Sequence, residues 1–349
     1  MMDRKEILEK TISPLLSWYQ ENRRELPWRK DPTPYHVWLS EVMLQQTRIE
    51  AVIPYYERFL RELPTVADLA ACEDDKLMKL WEGLGYYSRA RNLKKAAITV
   101  MERYGGTLPH TAAELRGLAG IGDYTAGAIA SIAFGEGEPA VDGNVLRVFM
   151  RLFGSHEDIL AQSVKKSAAE ALRAVYPTGA DAKNLTEALM ELGEVICIPN
   201  GEAKCEKCPL SHLCAAKREG LIDELPYRSP KKGRKIEEKT VFLLSSHGQF
   251  AVRKREEKGL LAGLWELPNT AGTLDEAAVA DHVRALGLTP VSIVPMENAT
   301  HIFTHIEWHM TGYAVECAEP AGDLIWKNAQ DIRENHAIPT AFRAFAKYI

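Results

Sequence analysis

The sequence predicts a multidomain protein, an all-α domain followed by a smaller α+β domain, and three observations carry that expectation. Apolar residues recur at helical spacing from residue 1 to about 216, then at strand spacing from 240 to 349. Between them, "KREGLIDELPYRSPKKGRKIEEK" (217–239) holds Pro226, Pro230, Gly233 and dense charge, the composition of a linker. At 349 residues, the chain also has room for two domains of roughly 100–200 residues each.

In the first domain, Thr33-Pro34 marks a helix start, with threonine as the cap and proline in the first turn. The run "TRIE" at Thr47 reads as a capping box with Glu50 at its third helical position, which puts Gln45 and Gln46 at a junction between helices. "TAAE" at Thr111 repeats the device and opens a helix that stops in the stretch Gly117 to Gly122. In the second domain, "TVFLLSS" and "QFAVRKR" read as strands joined through Ser246-His247-Gly248, and "HIFTHIEWHMTGYAVE" as two more. One helix, about Leu274 to Leu286, interrupts them.

Composition excludes little. The net charge of −5 argues weakly against a nucleic-acid partner, but residues 217–240 carry eight Lys/Arg against five Asp/Glu, a local basic stretch. The charged start "MMDRKEILEK" has no apolar signal core, and the apolar runs fall short of a membrane span, so a cytoplasmic protein without a membrane partner is expected.

Four motifs could carry chemistry. Glu41 stands in "WLSEVMLQQT" among Trp38, Leu39, Val42, Met43 and Leu44; burying a carboxylate costs several kcal/mol unless it is paired or takes up a proton. "LAGIGDYTAGA" joins two helices through Gly120-Ile121-Gly122, an ordinary turn or a set of N–H groups suited to a phosphate. "VDGNVLRVF" sets Asp142 and Asn144 before an amphipathic helix, where an aspartate is commonly a cap. Cys197, Cys205, Cys208 and Cys214 fall within eighteen residues at spacing C-x7-C-x2-C-x5-C. In a chain without a secretory signal that cluster reads as a metal site, zinc or [4Fe–4S], although the single C-x2-C pair suits a zinc ribbon poorly.

Taken together, "LPWR" (26–29), "WLSEVMLQQT", "GLGYYSRARNL" (83–93), "GIGDYTAGA", "VDGNVLRV", the cysteine loop, "GLLAGLWELP" and "HIFTHIEWHM" resemble the MutY family of adenine DNA glycosylases. That family belongs to the helix-hairpin-helix glycosylase superfamily and carries a C-terminal Nudix-like (MutT-like) domain. The resemblance implies a helical glycosylase domain over 1–216, a basic linker over 217–239 and a Nudix-like domain over 240–349. It also implies a monomer acting on double-stranded DNA that holds adenine opposite 8-oxoguanine or guanine. Cys197, Cys205, Cys208 and Cys214 would hold a [4Fe–4S] cluster. The first cysteine gap is one residue longer than the commoner family spacing, and Pro199-Asn200-Gly201 within it is a turn sequence able to absorb that residue. Ala119 replaces the usual proline of the hairpin.

By the same resemblance Glu41 is the general acid toward N7 of adenine, and its setting would raise its pKa to suit. Asp142 stabilises the cationic sugar, Asn144 orients the pair, and Tyr124 hydrogen-bonds alongside Asp142. Tyr124 also stands where bifunctional relatives carry a Schiff-base lysine, so base removal without strand cleavage is expected. Trp28, Arg29, Leu44 and Glu187 would surround the flipped adenine. Gln46, Thr47, Leu84, Tyr86, Gly120 and Gly122 would contact DNA, with Gln46 and Tyr86 entering the base stack. Phe303, Thr304 and His305 would read 8-oxoguanine. A Nudix hydrolase carries a glutamate cluster on its helix; "DEAAVADHVRALGL" offers Asp281, His282 and Arg284 instead, so fold without hydrolase is expected.

Overall fold

The computed structural model describes residues 3–199, 201–230 and 233–349. Asn200 of the expected turn, and Lys231 and Lys232 of the linker, lie outside the described residues. The helices are α1 (Arg4–Asn22), α2 (Pro27–Lys30), α3 (Pro34–Leu44), α4 (Ile49–Glu62), α5 (Val66–Ala71), α6 (Asp74–Trp81), α7 (Ser88–Tyr104), α8 (Ala112–Leu115), α9 (Asp123–Phe134), α10 (Gly143–Phe153), α11 (Gln162–Arg173), α12 (Ala180–Val195) and α13 (Ala215–Glu219). After them come β1 (Lys235–Ser246), β2 (Gln249–Lys254), β3 (Trp265–Glu266), β4 (Asn269–Ala271), α14 (Glu276–Ala285), β5 (Pro290–Pro295), β6 (Ala299–Ile302), β7 (Ile306–Cys317), β8 (Ile325–Asn328), α15 (Ala329–Asn335) and α16 (Arg343–Ala346). None of the described helices is long and apolar enough to cross a membrane.

The chain forms two compact units, Met1–Ala71 with Arg91–Pro230 and Cys72–Ala90 with Lys231–Ile349. The first is helical. Its core sets Leu8, Leu15 and Tyr19 of α1 against Val145, Phe149 and Leu152 of α10 and Leu185, Leu189 and Leu192 of α12. Local signals fix several ends: the Thr33 hydroxyl accepts from the His36 N–H at 3.3 Å, and Thr111 accepts from Glu114 at 3.2 Å. The capping box expected at Thr47 does not form. Arg48 is the N-cap of α4, with no side-chain cap bond, because Gln46 turns the chain through φ +57° and points the Thr47 hydroxyl back to the Gln45 carbonyl, 3.4 Å away.

The second unit is built on a mixed sheet of order β3-β2-β1-β7-β5, with β4 paired to β1, β6 to β7 and β8 to β2. β1 and β2 meet in the expected hairpin, Ser246 opposite Gln249, with His247 and Gly248 both at positive φ, the backbone that a two-residue turn requires. β1 runs parallel to β7, Leu244 opposite Val315. Its alternate residues fill two cores: Phe242 and Leu244 pack with Val279 and Val283 of α14, and Val241 and Leu243 with Trp308, Phe342 and Phe345. Burial on both faces is why "TVFLLSS" reads as a continuous apolar run.

The stretch 72–90, which sequence pattern alone assigns to the helical part, packs in the second unit. Ile338 donates its N–H to the Glu82 carboxylate at 2.9 Å, Lys79 reaches the His336 carbonyl at 3.4 Å, and Lys254 pairs with Asp75 at 2.8 Å.

Candidate active site

A cavity of about 510 Å³ opens in the first unit. Trp28, Arg29, Glu41, Leu44, Gln46, Thr47, Tyr124, Asp142, Asn144 and Glu187 all line it, so ten residues spread over 160 positions of sequence share one space. Helix α3 puts Glu41 there because that helix is buried all round, from Val37 to Met43, and its acid has no route to the surface. Only 5% of Glu41 is exposed. Burial pushes its carboxyl up to about 7; a hydrogen bond from Tyr124 and the Arg29 charge pull down, while Asp142 and Glu187 push further up. The Tyr124 hydroxyl, expected alongside Asp142, donates instead to Glu41 Oε2 at 2.5 Å. Burial and the neighbouring carboxylates hold that phenol well above its ordinary value.

Asp142 is both a cap and a cavity wall. As N-cap of α10 its Oδ1 accepts from the Val145 N–H at 2.7 Å, and its Oδ2 accepts from the Asn144 side-chain amide at 3.0 Å. Burial raises its carboxyl, and the N–H groups of Val145 and Asn144 oppose that rise by favouring the anion. The Asn144 amide is itself fixed: its carbonyl accepts from Arg147 Nη2 at 2.9 Å, and Arg147 also donates to the carbonyls of Gly193 and Cys197, both at 2.7 Å. Gly193 allows this approach of α12 to α10, since a Cβ there would lie 2.5 Å from that of Asn144. The two carboxyls of the cavity therefore differ in setting: Glu41 meets a single phenol, whereas Asp142 accepts a backbone N–H and an amide that favour its anion.

Three further residues shape the polar end of the cavity without appearing in any motif. Tyr19 donates to Glu187 Oε2 at 2.8 Å, and Glu191 takes both Arg29 Nη2 at 2.8 Å and Arg24 Nε at 2.5 Å. Tyr19 reads as an apolar core residue of α1. Glu191 left one signal, an acid four residues after Glu187 and so on the same face of α12.

The other expected residues lie outside the cavity. Gly120 and Gly122 are exposed in the hairpin between α8 and α9. Gly120 has φ +76°, and a Cβ there would meet Asn92 at 2.6 Å, so glycine is needed on both counts. Leu84 is buried, 7% exposed, rather than offered to solvent. Tyr86 is exposed at φ +46°, on a turn fixed by Trp81 donating to the Gly85 carbonyl at 3.1 Å and Arg89 donating to those of Leu84 and Gly85 at 3.1 Å. Gln46 and Tyr86 thus share a left-handed backbone that costs non-glycine residues of order 1–3 kcal/mol. In the second unit Phe303 stacks edge-on against Trp308 at 4.9 Å, and exposed Thr304 shares a hydrogen bond with the Tyr86 hydroxyl at 3.1 Å. His305 is exposed beside it.

Cys197, Cys205, Cys208 and Cys214 are half-buried free thiols. Burial pushes Cys208 up to about 12, and charge on any of the other three would push it the same way, so all four lie within electrostatic reach of one another. Among the described residues no set of three or more His, Cys, Asp or Glu is gathered tightly as a metal-ion site. The donor chemistry fits an iron–sulfur group: four half-buried thiols of one loop within reach of one another, with Arg151 Nη1 3.3 Å from Cys197 Sγ.

Comparison with known proteins identifies the family. Residues 39–174 match the family of HhH-GPD superfamily base excision DNA repair proteins, and residues 240–348 match the NUDIX domain. A structure of a thermostable thymine-DNA glycosylase superposes with a TM-score of 0.55 at 29% identity, covering 61% of this chain and 97% of that one. The adenine DNA glycosylase of Homo sapiens is 33% identical over 88% of this chain and 67% of its own. That of Rattus norvegicus is 32% identical over 96% of this chain and 77% of its own. With relatives matched across both units, the chain belongs to the adenine DNA glycosylase family, enzymes of base excision repair.

Proposed function

We propose that this enzyme excises adenine mispaired with 8-oxoguanine, or with guanine, and leaves the DNA backbone intact. The observation that carries the reading is the shared cavity in which a buried, proton-holding Glu41 faces the capped carboxyl of Asp142. Adenine is a poor anionic leaving group. A proton from Glu41 to N7 lets it depart neutral, while Asp142 stabilises the cationic sugar by charge or by a transient bond. Asn144, itself held by Arg147, keeps the Asp142 carboxylate turned toward the sugar. Trp28, Arg29, Leu44 and Glu187 enclose the base, and Tyr124 orients the acid. A phenol at position 124 cannot form a Schiff base, which supports a monofunctional enzyme.

Gln46 and Tyr86 each enter the disturbed base stack and Thr47 contacts the DNA, while Leu84, which is buried, backs the Tyr86 turn; Gly120 and Gly122 offer N–H groups to a phosphate. Phe303, Thr304 and His305 read 8-oxoguanine, and the basic stretch within 217–239 follows phosphates. Cys197, Cys205, Cys208 and Cys214 hold a [4Fe–4S] cluster that braces the loop; the proton and the carboxylate come from the protein. The enzyme works as a cytoplasmic monomer, with a helical part over 1–216 and a Nudix-like part over 240–349.

Single-turnover cleavage of a duplex holding one A:8-oxoG pair, with and without alkali, tests the reading. Strand breaks that need alkali are expected. Breaks without alkali would make the enzyme bifunctional, and tight binding with no breaks would leave a lesion-binding protein.

A further inference from the structure

Arg29 and Glu187 present an electrostatic puzzle. They are opposite charges in a cavity largely shielded from water, yet Arg29 Nε stands 3.8 Å from Glu187 Oε1, about an ångström beyond the 2.7–2.9 Å of a charge-assisted hydrogen bond. Each is held by something else. Tyr19 donates to Glu187 Oε2 at 2.8 Å. Arg29 gives Nη2 to Glu191 at 2.8 Å and Nη1 to the Arg24 carbonyl at 3.1 Å, with its guanidinium 5.6 Å from the centre of the Tyr19 ring. Glu191 is 1% exposed and also binds Arg24, which is half-buried, so two cations and two anions balance within one cluster.

We infer that Tyr19 and Glu191 are positioning residues of the adenine pocket: by occupying Glu187 and Arg29 separately, they prevent those two side chains from closing on each other and leave both free to meet the base. This rests on the reading of Arg29 and Glu187 as adenine contacts. Without the Glu191 charge, Glu187 is the nearest anion left to Arg29. In a weakly screened site attraction closes so short a gap, and the pocket's polar pair is spent internally.

The arrangement also reaches the acid. Glu41 is faced by Tyr124 from α9, Asp142 at the start of α10, Glu187 from α12 and Arg29 from α2. Glu187 favours the protonated acid only while its own charge is not neutralised by Arg29. Collapse of the pair therefore lets Glu41 release its proton at lower pH.

Glu191→Gln and Tyr19→Phe test this by single-turnover rates across the pH range, on duplexes holding adenine or purine, which lacks the exocyclic amine. Glu191→Gln should lower the adenine rate by about threefold near pH 6 and about tenfold near pH 8, an alkaline limb moved down by about half a unit. Tyr19→Phe should move it the same way by less, and it keeps the test decisive if Glu191→Gln does not fold. Both variants should lose less on purine than on adenine. An equal loss at every pH, or an unshifted profile, would reduce Tyr19 and Glu191 to structural residues and overturn the inference. Wild-type protein that releases no adenine would overturn the proposed function itself; wild-type activity with an unchanged variant profile overturns this inference alone.

Discussion

Glu41 and Thr304 lie at opposite extremes of the molecule's chemistry. Glu41 is enclosed by helices, and burial raises its carboxyl to about 7. Thr304 stands exposed at the turn between β6 and β7, its hydroxyl tied to Tyr86 by one hydrogen bond. A general acid needs desolvation to hold its proton near neutral pH, whereas a group that reads a base must be reachable by it. The support differs in kind. Asp142, Asn144 and Arg147 form a chain of side-chain hydrogen bonds into α10 and α12. The Phe303-Thr304-His305 turn is held by backbone bonds, Phe303 N–H to the Ile306 carbonyl at 2.8 Å and Lys235 N–H to the His305 carbonyl at 3.0 Å. Contacts of the Phe303 ring with His301 and Trp308 add to these, while the Thr304 side chain is held by its single hydroxyl pair.

The largest effect that would sharpen this contrast comes from Glu41→Gln. Excision should fall by at least about a thousandfold, since the proton donor is gone. Stability should move the opposite way. The Glu41 pKa is raised from 4.5 to about 7 in the fold, so between those values the native state holds a proton that the unfolded chain has lost. Stability therefore falls as pH rises through that window, by up to about 3 kcal/mol for a shift of this size. The glutamine variant should escape that loss, and denaturant titrations at about pH 5 and pH 8 would show the gap. A variant no more stable than wild type at the higher pH would mean that Glu41 is not held protonated. For the wild-type enzyme, activity should decline as pH rises past about 7.

Next in size is the cysteine loop. Cys208→Ser should abolish the brown colour expected of a purified iron–sulfur protein and lower the thermal midpoint. A colourless wild-type protein containing zinc would overturn the cluster assignment. Asn144→Ala should cost about ten- to a hundredfold in single-turnover rate, because it frees one oxygen of Asp142, while duplex affinity stays near wild type. The smallest effect should belong to the exposed turn. Thr304→Val and Tyr86→Phe should each reduce the preference for A:8-oxoG over A:G by about two- to tenfold, with A:G cleavage little changed. Equal losses on both substrates would break the comparison, placing Thr304 in the chemistry rather than in recognition.

Local features were legible because their causes are local. The caps at Thr33, Thr111 and Asp142 bond to N–H groups three residues on, and the Ser246-His247-Gly248 turn carries its own backbone requirement. The box at Thr47 failed because a positive-φ residue just before it redirected the chain. Short strands such as β5 and β8 escaped notice because four to six residues hold too little pattern.

The sequence by itself determined that a carboxylate sits in an apolar helix, that Asp142 starts another helix, and that four thiols share one loop. These follow from periodicity and spacing within a single segment. Only the tertiary structure decided that Tyr124 donates to Glu41 rather than lying alongside Asp142, that Glu191 and Tyr19 keep Arg29 and Glu187 apart, and that the Tyr86 turn packs with the strands bearing Thr304. Such pairings join residues as many as 218 positions apart. Their energy depends on distance and burial, which helices packed in space set and neighbouring residues along the chain do not.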